Sequence, residues 1–328
     1  MWHLLRWLTG AIVILVLSIG GAGTWVYSVF IQPGPLATET TVIIPKGAGI
    51  DRIAGLLAER GLVSNAWVFR LGVMARGATT SLRAGEFLIP ADVSSDDVLK
   101  ILRSGKTVVR RLTVAEGLTT AEVLKRLSRK EGLTGRITSR PGEGRLLPET
   151  YYFSYGDPRE GLVQRMRVAM DKTLGELWAK RTASVPFKTP AEALVMASIV
   201  ERETALAAER AKVAGVFVNR LNRGMRLQSD PTVIYGLVGA SGYLGRRLTR
   251  KDLADDHPYN TYIHGGLPPG PIANPGRAAL EAALNPAETD ALYFVADGKG
   301  GHAFARTLKE HNRNVAAWRE IRRRKKTP

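Results

Sequence analysis

The chain has 328 residues, 47 Lys+Arg against 30 Asp+Glu, a formal net charge of +17 and no cysteine. The missing cysteine excludes disulfides, thiolate catalysis and a Cys-ligated zinc site. The charge asks for a polyanionic partner: nucleic acid, anionic lipid headgroups or an anionic cell-wall polymer.

The chain opens on Arg6 and then carries no charge over residues 8–31. Such a helix spans about 35 Å, enough to cross a hydrocarbon core. A cleaved signal peptide would have a shorter apolar region and an A-x-A-like site. The stretch therefore reads as a retained single-pass anchor, with residues 1–7 in the cytoplasm and the body outside. That topology makes nucleic acid the weakest of the three partners, and none is expected.

Gln32-Pro33-Gly34-Pro35 begins a linker, residues 41–44 read as a β-branched strand, and Ile50, Ile53, Leu56 and Leu57 recur at helical spacing before Gly61. The same unit returns seventy positions later: Val114, Gly117, Val123 and Leu127 align with Ile44, Gly47, Ile53 and Leu57. Between the repeats lie a helix over 66–74, a strand over 85–89 and a helix to Leu102 capped by Ser94, Ser95, Asp96 and Asp97. Three aromatics, Tyr151, Tyr152 and Phe153, follow Pro148-Glu149-Thr150, and Glu149 and Tyr151 are cleft candidates.

The helix beginning at Thr189 and Pro190, with Glu192 completing a capping box, is the most informative element. It carries Ala197-Ser198-Ile199-Val200-Glu201-Arg202-Glu203-Thr204, two carboxylates in an otherwise apolar helix. Burial disfavours an ionised carboxylate and raises its pKa toward the range of a general acid. Glu201 shares a face with Leu194, Ala197 and Ser198, and Glu203 with Met196, Ile199 and Val200, so periodicity leaves both acids open. Pairing with Arg202 or Arg210 is the structural alternative.

A second helix is expected over 208–223. Beyond it, Gln228-Ser229-Asp230-Pro231-Thr232 offers Asp230 either as a helix cap or, with Gln228 and Ser229, as a cleft wall. A stiff loop rich in Gly and Pro holds Tyr259, Asn260, Thr261, Tyr262 and Asn274, neutral partners suited to an uncharged sugar. A helix over 277–284, a strand over 291–296, a turn over 298–302 and a partner strand starting at Ala303 follow. The run Arg322-Arg323-Arg324-Lys325-Lys326 reads as a solvated tail. There is no phosphate loop, dinucleotide fingerprint, nucleophile elbow or zincin motif, and the five histidines show no ligand spacing. No cofactor and no metal is expected. Carboxylate chemistry on a glycosidic bond is what remains, and for a hydrolase Asp230 is the attractive second carboxylate.

With these residues in hand, the chain resembles the YceG-like family of endolytic murein transglycosylases. The motifs that carry the likeness are residues 197–204, Leu227-Gln228-Ser229-Asp230-Pro231-Thr232-Val233, Tyr259-Asn260-Thr261-Tyr262 and Gly265-Gly266-Leu267-Pro268-Pro269-Gly270-Pro271-Ile272, in the family's order. Leu146-Leu147-Pro148-Glu149-Thr150-Tyr151 departs conservatively from the family's Leu-Phe-Pro-Asp-Thr-Tyr. The resemblance implies an α+β protein: the anchor, a LysM-like module over 38–108 and a catalytic region over 109–328 with its core at 186–328. It places the essential glutamate at Glu201, with Gln228, Ser229, Asp230, Thr232, Tyr259, Asn260, Tyr262 and Asn274 as substrate-binding candidates. It implies cleavage of the MurNAc–GlcNAc bond of peptidoglycan strands without water. The MurNAc C6 hydroxyl closes a 1,6-anhydro ring, and nascent strands are terminated at the inner membrane beside peptidoglycan synthases. The alternatives are a hydrolase with Glu201 as acid and Asp230 as base, and a noncatalytic wall-binding scaffold.

Overall fold

The computed structural model of the chain describes residues 2–324. Met1 and residues 325–328, with Lys325 and Lys326 of the expected tail, lie outside the described residues. The fold is mixed α+β with an N-terminal apolar helix, and the chain divides into two compact units. The first holds the residues up to Arg110 together with Tyr152–Asp157; the second holds Arg111–Tyr151 and everything from Pro158 on.

In the first unit, α1 (Trp2–Ile31) is long and apolar enough from Leu5 to Ile31 to cross a membrane. The strand β1 (Thr40–Ile44) leads into α2 (Ile50–Glu59) and α3 (Ala66–Ala75). Next come β2 (Gly85–Ile89) and α4 (Ser95–Ser104). β1 and β2 pair antiparallel with Val42 opposite Phe87. One face of this ribbon and the apolar sides of the helices close over Val42, Leu57, Phe69, Phe87, Leu99 and Leu102. The caps are those that the short polar residues announce. Asn65 Oδ1 accepts from the N–H of Trp67 and Val68, and Ser94 with Asp97 forms a reciprocal capping box. The buried Glu86 is neutralised by Arg110 through two hydrogen bonds of 2.6 and 2.9 Å.

The second unit starts within β3 (Val109–Thr113). Gly117, at φ +74°, makes the turn into α5 (Thr120–Arg129), as in the first repeat. Short strands β4 (Leu133–Thr134), β5 (Thr150–Ser154) and β6 (Asp157–Pro158), the last two shared with the first unit, precede α6 (Arg159–Ala179). Then come α7 (Pro190–Glu203), α8 (Ala207–Asn222), α9 (Asp230–Val238), α10 (Arg250–Leu253) and α11 (Arg277–Leu284). The chain ends in a hairpin of β7 (Tyr293–Ala296) and β8 (His302–Ala305), followed by α12 (Leu308–Arg324).

α7 is the hub. Residues 193–200 are buried without a break, and α6, α8, α9 and α11 pack around it. Its cap is Thr189, as expected, but the carboxylate of Glu192 accepts from the N–H of Lys188 rather than closing the box on Thr189. Even its one buried hydroxyl is used: Ser198 donates to Val195 O and accepts from the N–H of Ile272.

Three expectations need correction. α6 was not anticipated. Its stripe Leu162, Met166, Met170, Leu174 and Leu177 is helical, but no side chain caps its start. Asp230 does not cap α9; Ser229 occupies the cap position and Asp230 is already the first helical residue. Arg322, Arg323 and Arg324 are the last turn of α12, where cations complement the helix C-terminus, rather than a free tail.

Replacing Ser198 by Ala leaves the buried Ile272 N–H without its acceptor. The expected cost is about 2 kcal/mol, read as a lower urea midpoint at unchanged slope.

Candidate active site

The last turn of α7 carries both glutamates. Carboxylates are unfavourable there, because the final carbonyls already concentrate negative charge. Two positions along a helix are roughly 200° apart in azimuth, so Glu201 and Glu203 face different surroundings.

Glu203 is half-buried and lines a cleft of about 580 Å³, whereas Glu201 does not. Its Oε1 accepts from the Ser229 hydroxyl at 2.5 Å. Burial pushes its pKa up to about 7; the Ser229 hydrogen bond opposes this and the charge of Asp230 adds to it. Across the cleft mouth Asp230 accepts from the Tyr262 hydroxyl at 2.6 Å, and burial raises the pKa of that phenol. Gln228 completes this wall, held at φ +52° with its N–H on Thr261 O.

The opposite wall rests on Arg220, a buried cation on α8. Its Nε donates to Leu292 O at 2.6 Å, and its Nη1 donates to Leu227 O at 2.8 Å and to Gln228 Oε1 at 3.3 Å. Its guanidinium lies 5.1 Å from the Tyr293 ring centroid, and desolvation lowers its pKa. His311 of α12 stacks on that same Tyr293 ring at 5.2 Å. Burial, then the Arg220 charge, lowers the pKa of His311. His302 of β8 is tied to Glu209 through its ring Nδ1 at 2.6 Å and its backbone N–H at 3.0 Å. Asn312 and Trp318 close the cleft from α12. Aromatic faces beside hydrogen-bonding groups are the elements of a saccharide site.

Glu201 looks elsewhere. Its Oε2 accepts from the N–H of Gly276 at 2.8 Å. Burial raises its pKa, the Gly276 hydrogen bond lowers it, and the nearby Glu116 raises it. A Cβ at Gly276 would overlap the Glu116 carboxylate, so glycine is what lets the two acids converge there. A separate depression of about 340 Å³ is lined by Glu116, Glu149 and Arg277.

Of the expected substrate-binding residues, Gln228, Asp230 and Tyr262 share the cleft with Glu203, and Ser229 reaches it through its hydrogen bond. Thr232, Asn260 and Asn274 are instead internal, at 0%, 1% and 0% exposure. Thr232 bonds Ser229 O and Thr261, and Asn260 bonds Leu253 O and Asp255 O. Asn274 bonds Leu118 O and Thr120, and accepts from Leu146 N–H at 2.8 Å. Tyr259 packs on Tyr235 at 5.0 Å, against the core. Tyr151 is buried and donates to Leu147 O, so it is not a cleft residue. Sequence reasoning missed Arg220, Tyr293, His302, His311, Asn312 and Trp318. Arg220 had a signal, a cation on the apolar face of α8; the α12 residues had none.

These features sit in a recognisable relative. The YceG-like family model matches residues 42–317. The chain is 33% identical over 331 residues to a Bacillus subtilis (strain 168) protein named endolytic murein transglycosylase, covering 90% of each. It is 33% identical over 324 residues to a protein of the same name from Streptococcus pneumoniae serotype 2 (strain D39 / NCTC 7466), covering 84% of this chain and 58% of that one. A crystal structure of a yceG-like protein from Listeria monocytogenes is 32% identical, with a TM-score of 0.52 over 84% of this chain and 99% of the other. The chain belongs to the YceG-like family.

Two outcomes follow from this geometry. Asn274→Ala, which unties the 118–120, 146 and 274 segments, is expected to cost about 3 kcal/mol, lowering the melting temperature in calorimetry. Glu203 is neutral in both states well below pH 4.5, and between there and about 7 only the unfolded chain ionises it. Stability therefore falls as pH rises through that window, by on the order of 3 kcal/mol. The difference between wild type and Glu203→Gln in melting temperature against pH should carry this slope and flatten above about pH 7.

Proposed function

We propose that the chain is a membrane-anchored endolytic murein transglycosylase, a lyase that cuts the MurNAc–GlcNAc bond within peptidoglycan strands. One observation carries the reading. The second unit holds an acid with its pKa near neutrality facing an aromatic-lined cleft, in a chain whose 33%-identical relatives bear that name. The helix α1 is the anchor, with Arg6 and the N-terminus inside and both units outside. The first unit is the LysM-like module that the resemblance implies. Strand termination beside the synthases is the biological role.

In the reaction, the carboxylic acid protonates the glycosidic oxygen as the MurNAc C1–O bond breaks. The carboxylate then takes the proton of the MurNAc C6 hydroxyl, whose oxygen bonds to C1 and closes the 1,6-anhydro ring. No water enters, so one carboxylate suffices. The geometry favours Glu203 for this role, because it faces the cleft and is poised to give and take a proton near pH 7. Arg220 holds the wall in shape, and Tyr262 fixes the Asp230 carboxylate toward substrate hydroxyls. Glu201, the position that the resemblance points to, is the second reading, supported by its raised pKa beside Glu116 and Gly276.

Mass spectrometry of peptidoglycan digested by wild type, Glu201→Gln and Glu203→Gln decides among these. Anhydro products, one water lighter than hydrolytic fragments, are expected from wild type. Glu203→Gln should lose at least about 100-fold in rate, and more than Glu201→Gln; the reverse order moves the acid to Glu201. Products carrying the added water, with Asp230→Asn as damaging as loss of the acid, would make the chain a two-carboxylate hydrolase. Retention on sacculi with no soluble product would make it a scaffold.

A further inference from the structure

The first unit has a feature that the glycan chemistry does not use. The exposed face of α3 is apolar: Trp67 and Met74 are 56% and 50% exposed, with Leu71 half-buried between them at helical spacing. The other face, Val68, Phe69 and Val73, belongs to the core of the unit. Between this helix and α1 runs a mostly apolar groove of about 550 Å³, walled by Ile19, Ala22 and Val26 on one side and Trp67 and Leu71 on the other, with Arg76 also lining it. The two helices are locked together. Phe30 of α1 is buried against Phe69 and lies where any side chain at position 72 would be, which Gly72 alone permits.

The groove wall on α1 lies inside the apolar stretch Leu5–Ile31. A hydrocarbon core of about 30 Å takes about 20 residues of helix. Counted from Trp7, beside Arg6, the core ends near Tyr27, where Trp25 and Tyr27 are both exposed, as in an interfacial aromatic belt. Ile19 then lies about 12 Å below that level. Arg70 and Arg76 flank the exposed stripe of α3, paired to Asp51 and Asp96 at 3.0 and 2.8 Å.

We infer that α3 is a second membrane element, an interfacial helix whose Trp67–Leu71–Met74 face enters the outer leaflet, with lipid acyl chains filling the groove against α1. The inference rests on reading α1 as a membrane span. It makes the first unit a module seated on the bilayer rather than a spacer hanging from a tether.

The chain has no cysteine, so single labels are specific. Trp67→Cys and Met74→Cys, with Ile14→Cys and Glu59→Cys as references, are spin-labelled in the full chain and reconstituted in phosphatidylcholine–phosphatidylglycerol vesicles. Accessibility to oxygen is compared with accessibility to a water-soluble nickel chelate. Labels at 67 and 74 are expected to favour oxygen, like the label at 14 and opposite to that at 59. Nickel accessibility at both 67 and 74 with oxygen preference at 14 overturns the inference while leaving the anchor standing. Nickel accessibility at 14 overturns the anchor and the inference together.

Discussion

The structure of the second unit turns on one constraint: a helix buried on every side must end somewhere, and α7 ends in two acids. Eight consecutive buried positions, residues 193–200, leave no solvated face on which a charge could sit. Beyond its exposed first turn, the helix next meets solvent at its last residues, and there the helix dipole opposes negative charge. Burial nonetheless pushes the pKa of Glu203 up to about 7, and among the described residues its carboxylate's one hydrogen bond is from Ser229. Its remaining acceptor capacity faces the cleft. A group with an even balance between its protonated and ionised forms, and with lone pairs free toward substrate, is what a reaction with alternating acid and base steps requires.

Around that carboxylate the walls are assembled from distant segments, and buried polar side chains set their spacing. Arg220 binds strand and loop carbonyls together, Asn260 and Thr232 lock the turn before Tyr262, and Asn274 joins three segments of the unit. Each of these groups is buried with its hydrogen bonds met, so each is costly to remove and specific in geometry. The division of labour is clear. Fully buried amides and hydroxyls shape the loops, and partly exposed Gln228, Asp230 and Tyr262 face the ligand space.

The elements of the first unit were legible almost residue by residue, because each announces itself locally. β1 is β-branched, α3 and α4 are capped by Asn65 and Ser94, and glycines mark the turns. The helix with the two acids was equally plain, from Thr189 and Pro190 to Thr204. What periodicity could not give was the direction of each acid, since that depends on which loops arrive at which side. The same limit explains Asn274, Asn260 and Thr232. A polar residue in a loop rich in Gly and Pro has the composition of a ligand-binding residue whether it points outward or into the loop's own hydrogen bonds. α12 was hidden for another reason. None of its residues is buried, so its charged pattern looks like a tail until His311 and Trp318 are seen on the cleft.

The position of α12 carries a consequence for the life of the protein. Glu203 precedes Trp318 by more than a hundred residues, yet both border the same cleft. Glu203 is therefore synthesised well before the α12 surface that borders the same cleft. A chain still emerging from the ribosome has the acid but lacks the wall of β7, β8 and α12, and it gains that wall only once α12 has been made.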